Sequence, residues 1–381
     1  MIIDQYPVKY IWEHPKWPAM ACDMNKLQEP LGRFMLIVGK IVALNENLIV
    51  QEQHQAFAMD VGHEAVASYA IEGETLDFNS VSISVMASLD TRYRHHVDNR
   101  SGHIAALMLD ARQNSNIITR ERLQNWHSLL FDNKQHYMQN VGKWRKGEMA
   151  VVSGPIGRYI TEFEAPPPEN LEREMTIFLA WLNNNDDYPL PIKAAIAHIW
   201  FETIHPFEDG NGRIGRLLIE YLLAQITKQP LPLSPSRQIL KNCKAYYQKL
   251  KQTQHSDLSD GEKIDITDFA HWTLNLFIDA GIDSMQNLAF LTKRNAFFHQ
   301  WDEKLTIRQK TVLKRLFEEG RCRVEQGISR KPYAKIANVS IETAGRDLLD
   351  LLQKSVIIPS KEKGRSTRYW LNFKGKLQHE A

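Results

Sequence analysis

His205-Pro206-Phe207-Glu208-Asp209-Gly210-Asn211-Gly212-Arg213-Ile214-Gly215-Arg216 lies between two strongly apolar, helix-like stretches. Gly210 and Gly212 flank Asn211, and residues without a Cβ let backbone N–H groups turn toward a ligand. They do so where the helical pattern that starts at Arg213 begins. The stretch therefore predicts an anion bound at a helix N-terminus.

The charged residues of the same stretch extend this prediction. Arg213 and Arg216 are three apart, so they share one face of the first turn and can hold two neighbouring phosphate groups. Asp209 lies at the mouth of the loop, and a carboxylate beside phosphates commonly holds Mg²⁺. His205 ends the preceding helix, which Pro206 stops, and imidazole accepts protons near neutral pH. Each feature alone has an ordinary structural explanation, but together they predict a phosphate site with a base beside it.

These twelve residues resemble the signature His-Pro-Phe-x-Asp/Glu-Gly-Asn-Gly-Arg-x-x-Arg of the Fic family, whose members typically transfer AMP from ATP to a protein hydroxyl. The resemblance implies that His205 deprotonates the target hydroxyl and that Asp209 holds the Mg²⁺ bridging the ATP phosphates. The nucleotide-binding residues that it implies here are Phe207, Gly210, Asn211, Gly212, Arg213, Ile214, Gly215 and Arg216. Among them, the Gly-Asn-Gly residues would form an anion hole, the arginines would contact the β- and γ-phosphates, and the phenylalanine would anchor the loop from the core.

A second motif lies at the end of a predicted helix, about residues 61–73. Gly73 is a natural C′ residue for a helix that ends at Ile71. The run Ser68-Tyr69-Ala70-Ile71-Glu72-Gly73 resembles the Ser/Thr-x-x-x-Glu-Gly/Asn inhibitory motif of Fic proteins. The resemblance implies that Ser68 and Glu72 are inhibitory and that Glu72 pairs with Arg216 at the γ-phosphate position. A plain capped helix is the alternative interpretation.

Two further regions are candidates for the site. The alternating, glycine-bounded residues 147–154 and then 160–163 predict a β-hairpin. In Fic proteins a hairpin flap at this place pairs with an extended target segment, which would bring Val152, Ser153 and Gly154 near the nucleotide. A helix over 235–253 carries three residues in the stretch that contacts adenine in the family: Asn242, Tyr246 and Tyr247. An ordinary surface hairpin and core tyrosines are the alternatives.

The fold predicted is mainly α: an all-helical Fic core with a β-hairpin flap, a helical N-terminal domain and a C-terminal winged helix (α+β). The domains are predicted at 1–100, 101–290 and 291–381. Two helices are expected within 26–60. Further helices are expected at about 79–90, 101–115, 119–131, 169–184, 191–204, 213–225, 264–301 and 305–317.

The last domain resembles a winged helix. Residues 333–337 and 340–349 fit a helix-turn-helix, and 357–359 with 367–371 fit two strands around a basic loop. Six basic residues face one acidic residue from Lys361 to Lys376, which suits a phosphate backbone. Glu342, Asp347 and Asp350 on the second helix argue against tight major-groove binding. DNA binding and a protein-docking or homodimer role are therefore both open.

Bulk composition gives no further hint of partners. The 381 residues are 43% hydrophobic and 24% charged, with a net charge of +2, which suggests neither nucleic acid nor membrane binding. Cys22, Cys243 and Cys322 lack metal-ligand or paired spacing and suit a reducing compartment. With no apolar export segment or run of 18 apolar residues, a cytoplasmic location is expected.

The sequence thus predicts a Mg²⁺- and ATP-dependent protein adenylyltransferase that modifies Ser, Thr or Tyr hydroxyls of target proteins and of itself. Glu72 would inhibit it by pairing with Arg216. Two other interpretations remain: a deAMPylating or bifunctional enzyme with the same site, and a DNA-binding regulator that uses nucleotide only as a ligand. The base of the nucleotide is inferred from the resemblance, because the signature itself contacts phosphates.

Overall fold

The structure is a computed structural model that describes residues 9–89, 99–131, 138–154, 158, 160–184, 186–227, 231–255, 263–360 and 367–373. Chain contacts divide it into two compact units, Met1–Ser284 and Met285–Ala381. The boundary falls within one long helix. The finer division at residue 100 stays a prediction.

The first unit is built from helices and two pairs of short strands. Its helices are α1 Met24–Glu46, α2 Val50–Ile71, α3 Phe78–Leu89, α4 Asn99–Gln113, α5 Arg120–Leu130, α6 Leu171–Asn184, α7 Leu190–Ile204, α8 Asn211–Ala224, α9 Pro235–Lys241, α10 Cys243–Gln254 and α11 Thr267–Trp301. Its strands are β1 Met20–Ala21, β2 Ala150–Ser153, β3 Ile160–Glu164 and β4 Ile264–Asp265. The predicted mainly-α fold is confirmed.

Helices α7 and α8 form the centre of this unit. Every residue of α7 from Pro191 to Ile204 is buried, as expected for a largely apolar helix in the core. Gly215 of α8 allows the two helices to approach closely, because a Cβ there would clash with Glu202 and His198 of α7. The signature stretch is the turn between these two buried helices, so it is held on a rigid support.

The prediction of a separate helix at about 61–73 was wrong. Helix α2 runs unbroken from Val50 to Ile71. Gly62, inside this helix, lies against Phe78 and Ser82 of α3. A close helix contact therefore accounts for this glycine. The predicted end is correct: Gly73 has φ 78° and donates its N–H to the carbonyl of Ala70 at 3.1 Å.

Two other boundaries differ from expectation. The single helix predicted over 235–253 is two helices, α9 and α10, because Asn242 leaves helical geometry at φ −120°, ψ 32° and its side chain bonds the Gln238 carbonyl. The helix expected from 264 begins at Thr267, since Ile264 and Asp265 pair in parallel with Met20 and Ala21. Two-residue strands carry no sequence pattern, so this pairing could not be predicted.

The predicted hairpin is present. Strands β2 and β3 are antiparallel, with Ala150 opposite Glu164 and an irregularity between Val151 and Val152. Phe163 packs edge-on against Tyr10 at 5.1 Å between ring centroids, and the Trp12 indole donates to the Glu164 carbonyl at 2.7 Å. The aromatic N-terminal segment therefore packs on the base of the hairpin.

The second unit has short helices followed by a two-stranded sheet, and the winged helix stays a prediction. It contains the end of α11, then α12 Ile307–Glu318, α13 Arg321–Glu325, α14 Arg330–Ala337, α15 Ile341–Gln353, β5 Ile357–Pro359 and β6 Tyr369–Leu371. Strands β5 and β6 are antiparallel. Only α13 was not predicted. Of the six wing cations, Arg368 is described, and the others lie outside the described residues. No helix in the described ranges is long and apolar enough to cross a membrane.

Candidate functional site

His205 is held in an uncommon backbone conformation at the end of α7. Its φ of 51° and ψ of 60° are left-handed, and its N–H donates to the Phe201 carbonyl at 2.9 Å. Nδ1 lies 3.2 Å from the Glu202 carbonyl, a contact that assigns the proton to Nδ1 and leaves Nε2 free to accept one. Burial lowers the pKa of His205 to about 4. The ring is therefore neutral at neutral pH, the form that a base requires.

Buried contacts of Phe207 and Asn211 hold the loop after His205 in place. Phe207 is fully buried, as predicted, and its ring stacks on His127 with 4.1 Å between centroids. The Asn211 amide bonds Phe207 at both ends, accepting from its N–H at 2.9 Å and donating to its carbonyl at 2.8 Å. The Asn211 side chain thus closes the loop, and only its backbone N–H remains for the predicted anion hole.

Replacing Asn211 by alanine is expected to destabilise the first unit. The change leaves the buried N–H and carbonyl of Phe207 without partners, and each such group costs about 1–3 kcal/mol. The measurement is the free energy of urea unfolding, with Asn242→Ala as the matched control because that exposed amide bonds one carbonyl at the surface. Equal losses in the two variants would contradict this role for Asn211.

The start of α8 provides the donors of an anion site. Gly210 has φ 79°, and a Cβ there would clash with Leu130 and Phe131, so only glycine fits. The helix begins at the next residue, and the N–H groups of its first turn have no acceptor within the helix. Among the residues described, the buried Nε of Arg213 and Nη1 of Arg216 also lack hydrogen-bond partners. Such orphaned donors around a helix N-terminus suit phosphate groups.

Glu72 fills part of this anion site. Its carboxylate accepts from Nη2 of Arg216 at 2.7 Å. Ser68 completes the contact, since its hydroxyl accepts from Nε of Arg216 at 2.9 Å and its carbonyl from Nη2 at 2.8 Å. A Cβ on Gly212 would clash with the Glu72 carboxylate, which places that carboxylate against the first turn of α8. The pair that the motif predicts is thus present, and it occupies donors that a phosphate would use.

Asp209 has the geometry of a single carboxylate ligand. Its side chain is about half exposed, accepts from the Gly210 N–H at 2.5 Å and lies 3.5 Å from Nη2 of Arg213. In the described part of the chain, no group of three or more His, Cys, Asp or Glu could hold a metal by itself. A Mg²⁺ at Asp209 would therefore take most of its ligands from phosphate and water, as this ion commonly does.

Several predicted site residues lie elsewhere. Val152 and Ser153 are exposed on the hairpin, Gly154 has φ 101°, and no hydrogen bond or ion pair between described residues joins them to the signature. Asn242 is exposed. Tyr247 is 45% exposed, with its hydroxyl 3.4 Å from the Ile71 carbonyl. Their part in nucleotide binding stays a prediction.

Three others face the core. Tyr246 is buried, and its hydroxyl lies 2.9 Å from Nε2 of His198, so the alternative of a core tyrosine describes its present contacts. Ile214 is fully buried, and Gly215 lies against α7. Any contact of these three with nucleotide would need backbone atoms or a rearrangement.

Four residues that the sequence did not single out support or adjoin the site. Arg145 donates from Nε to the His205 carbonyl at 2.9 Å and from Nη1 to the Gly147 carbonyl at 2.8 Å, which fixes the backbone under the imidazole. His127 holds the Asp209 carbonyl at 3.1 Å. Glu202 has a buried carboxyl whose pKa burial raises to about 8. Glu74 pairs with Arg213. The contacts of Arg145 with His205, of His127 with Asp209 and of Glu74 with Arg213 each join residues at least 60 positions apart, so no local pattern could have indicated them.

A known family model matches the part of the chain that contains this site. The Fic/DOC family model matches residues 117–223, which include the whole signature. These matched residues, 117–223, are called the Fic domain below. A domain of unknown function, DUF4172, matches residues 10–91, so Glu72 and Ser68 lie outside the Fic domain itself.

Two curated proteins are similar in sequence to part of this chain. A curated "Protein adenylyltransferase Fic" of Nematostella vectensis is 35% identical over 102 residues, which are 26% of this chain and 23% of that protein. A Drosophila melanogaster protein of the same name is 35% identical over 135 residues, 35% of this chain and 26% of that protein. The match thus spans about a quarter of the length of these relatives.

A solved structure extends the likeness of fold. The crystal structure of a Fic family protein from Desulfovibrio desulfuricans G20 aligns with a TM-score of 0.54 at 21% identity. It covers 92% of this chain and 97% of that one. The likeness shows a shared fold over nearly the whole chain.

Proposed function

We propose that the Fic domain transfers AMP from ATP to a hydroxyl group of a protein. The observation that carries the proposal is the neutral His205 imidazole placed at the end of α7, one short turn before an anion site built from α8 and two buried arginines. A site for phosphate binding alone would not need a base. The names of the curated relatives support the same reaction.

The chain's own groups account for each part of that reaction. Nε2 of His205 takes the proton from the target hydroxyl, because Nδ1 is engaged by the Glu202 carbonyl. The hydroxyl oxygen then bonds to the α-phosphorus while the bond to the β-phosphate oxygen breaks and pyrophosphate leaves. Arg213, Arg216 and the first N–H groups of α8 stabilise the charge on the departing phosphates.

Asp209 is the residue that would hold Mg²⁺. Its half-exposed carboxylate beside the anion donors fits an ion that keeps water and phosphate ligands. The ion would supply charge neutralisation between neighbouring phosphates. We include this metal in the proposal together with ATP as co-substrate.

Glu72 makes the described state an inhibited one in this proposal. Its carboxylate occupies Arg216 and the N-terminus of α8, so a phosphate must displace it or bind in another pose. The Glu72 carboxylate and a phosphate bound beside it would both be negative and would repel each other, so the productive pose of ATP is unfavourable while Glu72 stays in place. The flap β2–β3, with its exposed edge residues Val152 and Ile160, is the surface on which we propose that a target segment docks.

Two labels of ATP test the reaction class. Glu72→Gly protein is incubated with ATP labelled at either the α- or the γ-phosphate, and protein-bound label is measured after gel separation. AMP transfer labels protein from the α-position only. Label from the γ-position would indicate phosphorylation, and label from neither would refute adenylyl transfer onto the protein itself.

A further inference from the structure

The two units carry opposite charge. Residues 285–381 contain 20 Lys and Arg against 10 Asp and Glu, a net charge of +10, whereas residues 1–284 contain 27 against 35, a net charge of −8. The overall net charge of +2 hides this separation. A small domain with such an excess of cations is suited to a polyanion.

Ion pairs distribute the excess unevenly within the second unit. Several cations that lie outside α14 and α15 form ion pairs with acidic residues. They are Arg308, Lys310, Arg315, Arg321 and Arg323. By contrast, four exposed cations on the helix-turn-helix make no ion pair with any described residue: Arg330, Lys331, Lys335 and Arg346. Lys293, Lys304, Lys314 and Arg368 are likewise exposed without an ion pair to described residues, but the motif groups four such cations within residues 330–346.

The carboxylates that argued against DNA binding are largely turned away. Asp347 is 8% exposed and accepts from Arg308 at 2.6 and 2.7 Å and from the Tyr333 hydroxyl at 3.0 Å. Asp350 accepts from Gln309 at 2.8 Å and from Lys354 at 2.6 Å. Glu342, in the first turn of α15, keeps an exposed carboxylate that makes no ion pair within the described residues, although the nearby charge of Arg346 helps to lower its pKa. Two of the three acidic residues on α15, Asp347 and Asp350, are therefore bound by other groups of the same unit and do not oppose major-groove binding.

The outer face of α15 is free to read a groove. Its core side holds Ala344, Leu348 and Leu351, while Arg346, Leu349 and Gln353 are exposed on the other side. The Arg330 side chain lies against Gly345, which brings a cation of α14 beside this face. A helix flanked by cations in a helix-turn-helix is the arrangement that enters the major groove of B-form DNA.

We propose that the C-terminal unit binds duplex DNA, with α15 facing the major groove and Arg330, Lys331, Lys335 and Arg346 contacting phosphates. DNA is favoured over duplex RNA because the major groove of an A-form helix is too deep and narrow for a helix to enter. The binding is independent of adenylyl transfer, since none of the four cations belongs to the Fic domain.

Salt dependence of binding tests the proposal. The full chain is titrated onto a fluorescent mixed-sequence DNA duplex at several KCl concentrations, and the slope of log affinity against log salt is measured. Each lost phosphate contact makes this negative slope less steep by roughly 0.9, so Lys331→Ala/Lys335→Ala is expected to reduce its magnitude by roughly 1.8. The matched control is Lys293→Ala/Lys314→Ala, which removes equal charge from exposed positions on α11 and α12.

Three results would overturn the proposal. They are no binding of the wild-type chain to the duplex, equal slopes for the two double variants, and tighter binding to an RNA duplex of the same sequence. Capture of an acidic protein by the wild type, lost in Lys331→Ala/Lys335→Ala without any DNA binding, would assign the surface to a protein instead.

A second inference concerns Glu74 and rests on the proposed function. Glu74 pairs through Oε1 with Nη1 of Arg213 and through Oε2 with Nη2 of Arg100 at 2.9 Å. Arg213 is held between the rings of Tyr69 and Phe131, at 5.1 and 4.9 Å, so its guanidinium has little freedom to avoid this carboxylate. Glu72-Gly73-Glu74 therefore supplies one carboxylate to each arginine of the signature.

We infer that Glu74 is a second inhibitory residue, which keeps Arg213 from phosphate as Glu72 keeps Arg216. Arg100 holds the other oxygen of the same carboxylate and so helps to position Glu74 against Arg213. Removing Glu72 alone should then leave the site partly blocked.

ATP affinity measured by calorimetry tests this inference without relying on transfer. Adding Glu74→Ala to Glu72→Gly is expected to tighten ATP binding roughly three- to tenfold, since the lost pair is partly exposed. The control, Glu29→Ala in the same background, removes an exposed carboxylate from α1. Unchanged affinity on adding Glu74→Ala would refute the role of Glu74. Tighter binding with no AMP transfer would uphold it and refute the proposed reaction.

Discussion

Glu72→Gly is expected to raise AMP transfer by about 10- to 100-fold over the wild-type chain. The Glu72 carboxylate makes a 2.7 Å contact with Arg216, whose guanidinium is almost fully buried. A hydrogen bond between charged groups contributes about 1.5–3 kcal/mol, and each 1.4 kcal/mol is a factor of ten. Removing the carboxylate frees Arg216 for phosphate. The measurement is the initial rate of label incorporation from ATP labelled at the α-phosphate.

A conservative variant separates charge from backbone effects. Glu72 lies at the C-cap of α2, where glycine loosens the chain, whereas Glu72→Gln keeps the shape and removes only the charge. We expect the glutamine variant to be activated to an intermediate degree. Activation by glycine together with none by glutamine would show that helix fraying, and not the lost ion pair, is responsible. No activation by either would refute inhibition by Glu72.

Removing His205 is expected to lower transfer by about 10²- to 10⁴-fold in the Glu72→Gly background, the usual contribution of a positioned base. Asparagine is the better replacement here. His205 is left-handed at φ 51°, a conformation that asparagine tolerates far better than most residues. His205→Asn therefore removes the base while keeping the turn that presents α8. The measurement is the transfer rate at saturating ATP.

ATP affinity is the control for this variant. The arginines and the first turn of α8 are unchanged, so we expect Glu72→Gly/His205→Asn to bind ATP as tightly as Glu72→Gly does. A slower rate with equal affinity assigns His205 to the chemical step. Loss of affinity in parallel with rate would instead indicate that the imidazole only supports the loop.

The sequence predicts this fold well where the physical signal is local. The largely apolar α7, the proline stop at Pro206 and the glycine at the start of α8 each act within a few residues, and they appear as expected. The predicted break before residue 61 was wrong, and Gly62 lies within α2, where it admits the neighbouring helix α3. Asn242 gave the opposite error, since one polar residue ends α9 without a glycine or proline.

The site was predictable as a set of residues and less so as a set of contacts. The Glu72–Arg216 pair could be expected because its motif specifies it. Arg145 beneath His205 and Glu74 on Arg213 could not, because tertiary packing brings them together across 60 and 139 residues. The inward turn of Asp347 likewise depends on Arg308 in another helix. Side-chain direction of this kind follows from the packed core and not from helical spacing alone.

The most direct test of the account is the intact mass of the protein after incubation with ATP and Mg²⁺. We predict that Glu72→Gly gains the mass of one or more AMP groups, and that Glu72→Gly/His205→Asn gains none under the same conditions. Equal AMP gain in both would contradict the role of His205. A gain of phosphate, or no gain in Glu72→Gly while it binds ATP, would contradict adenylyl transfer by this site.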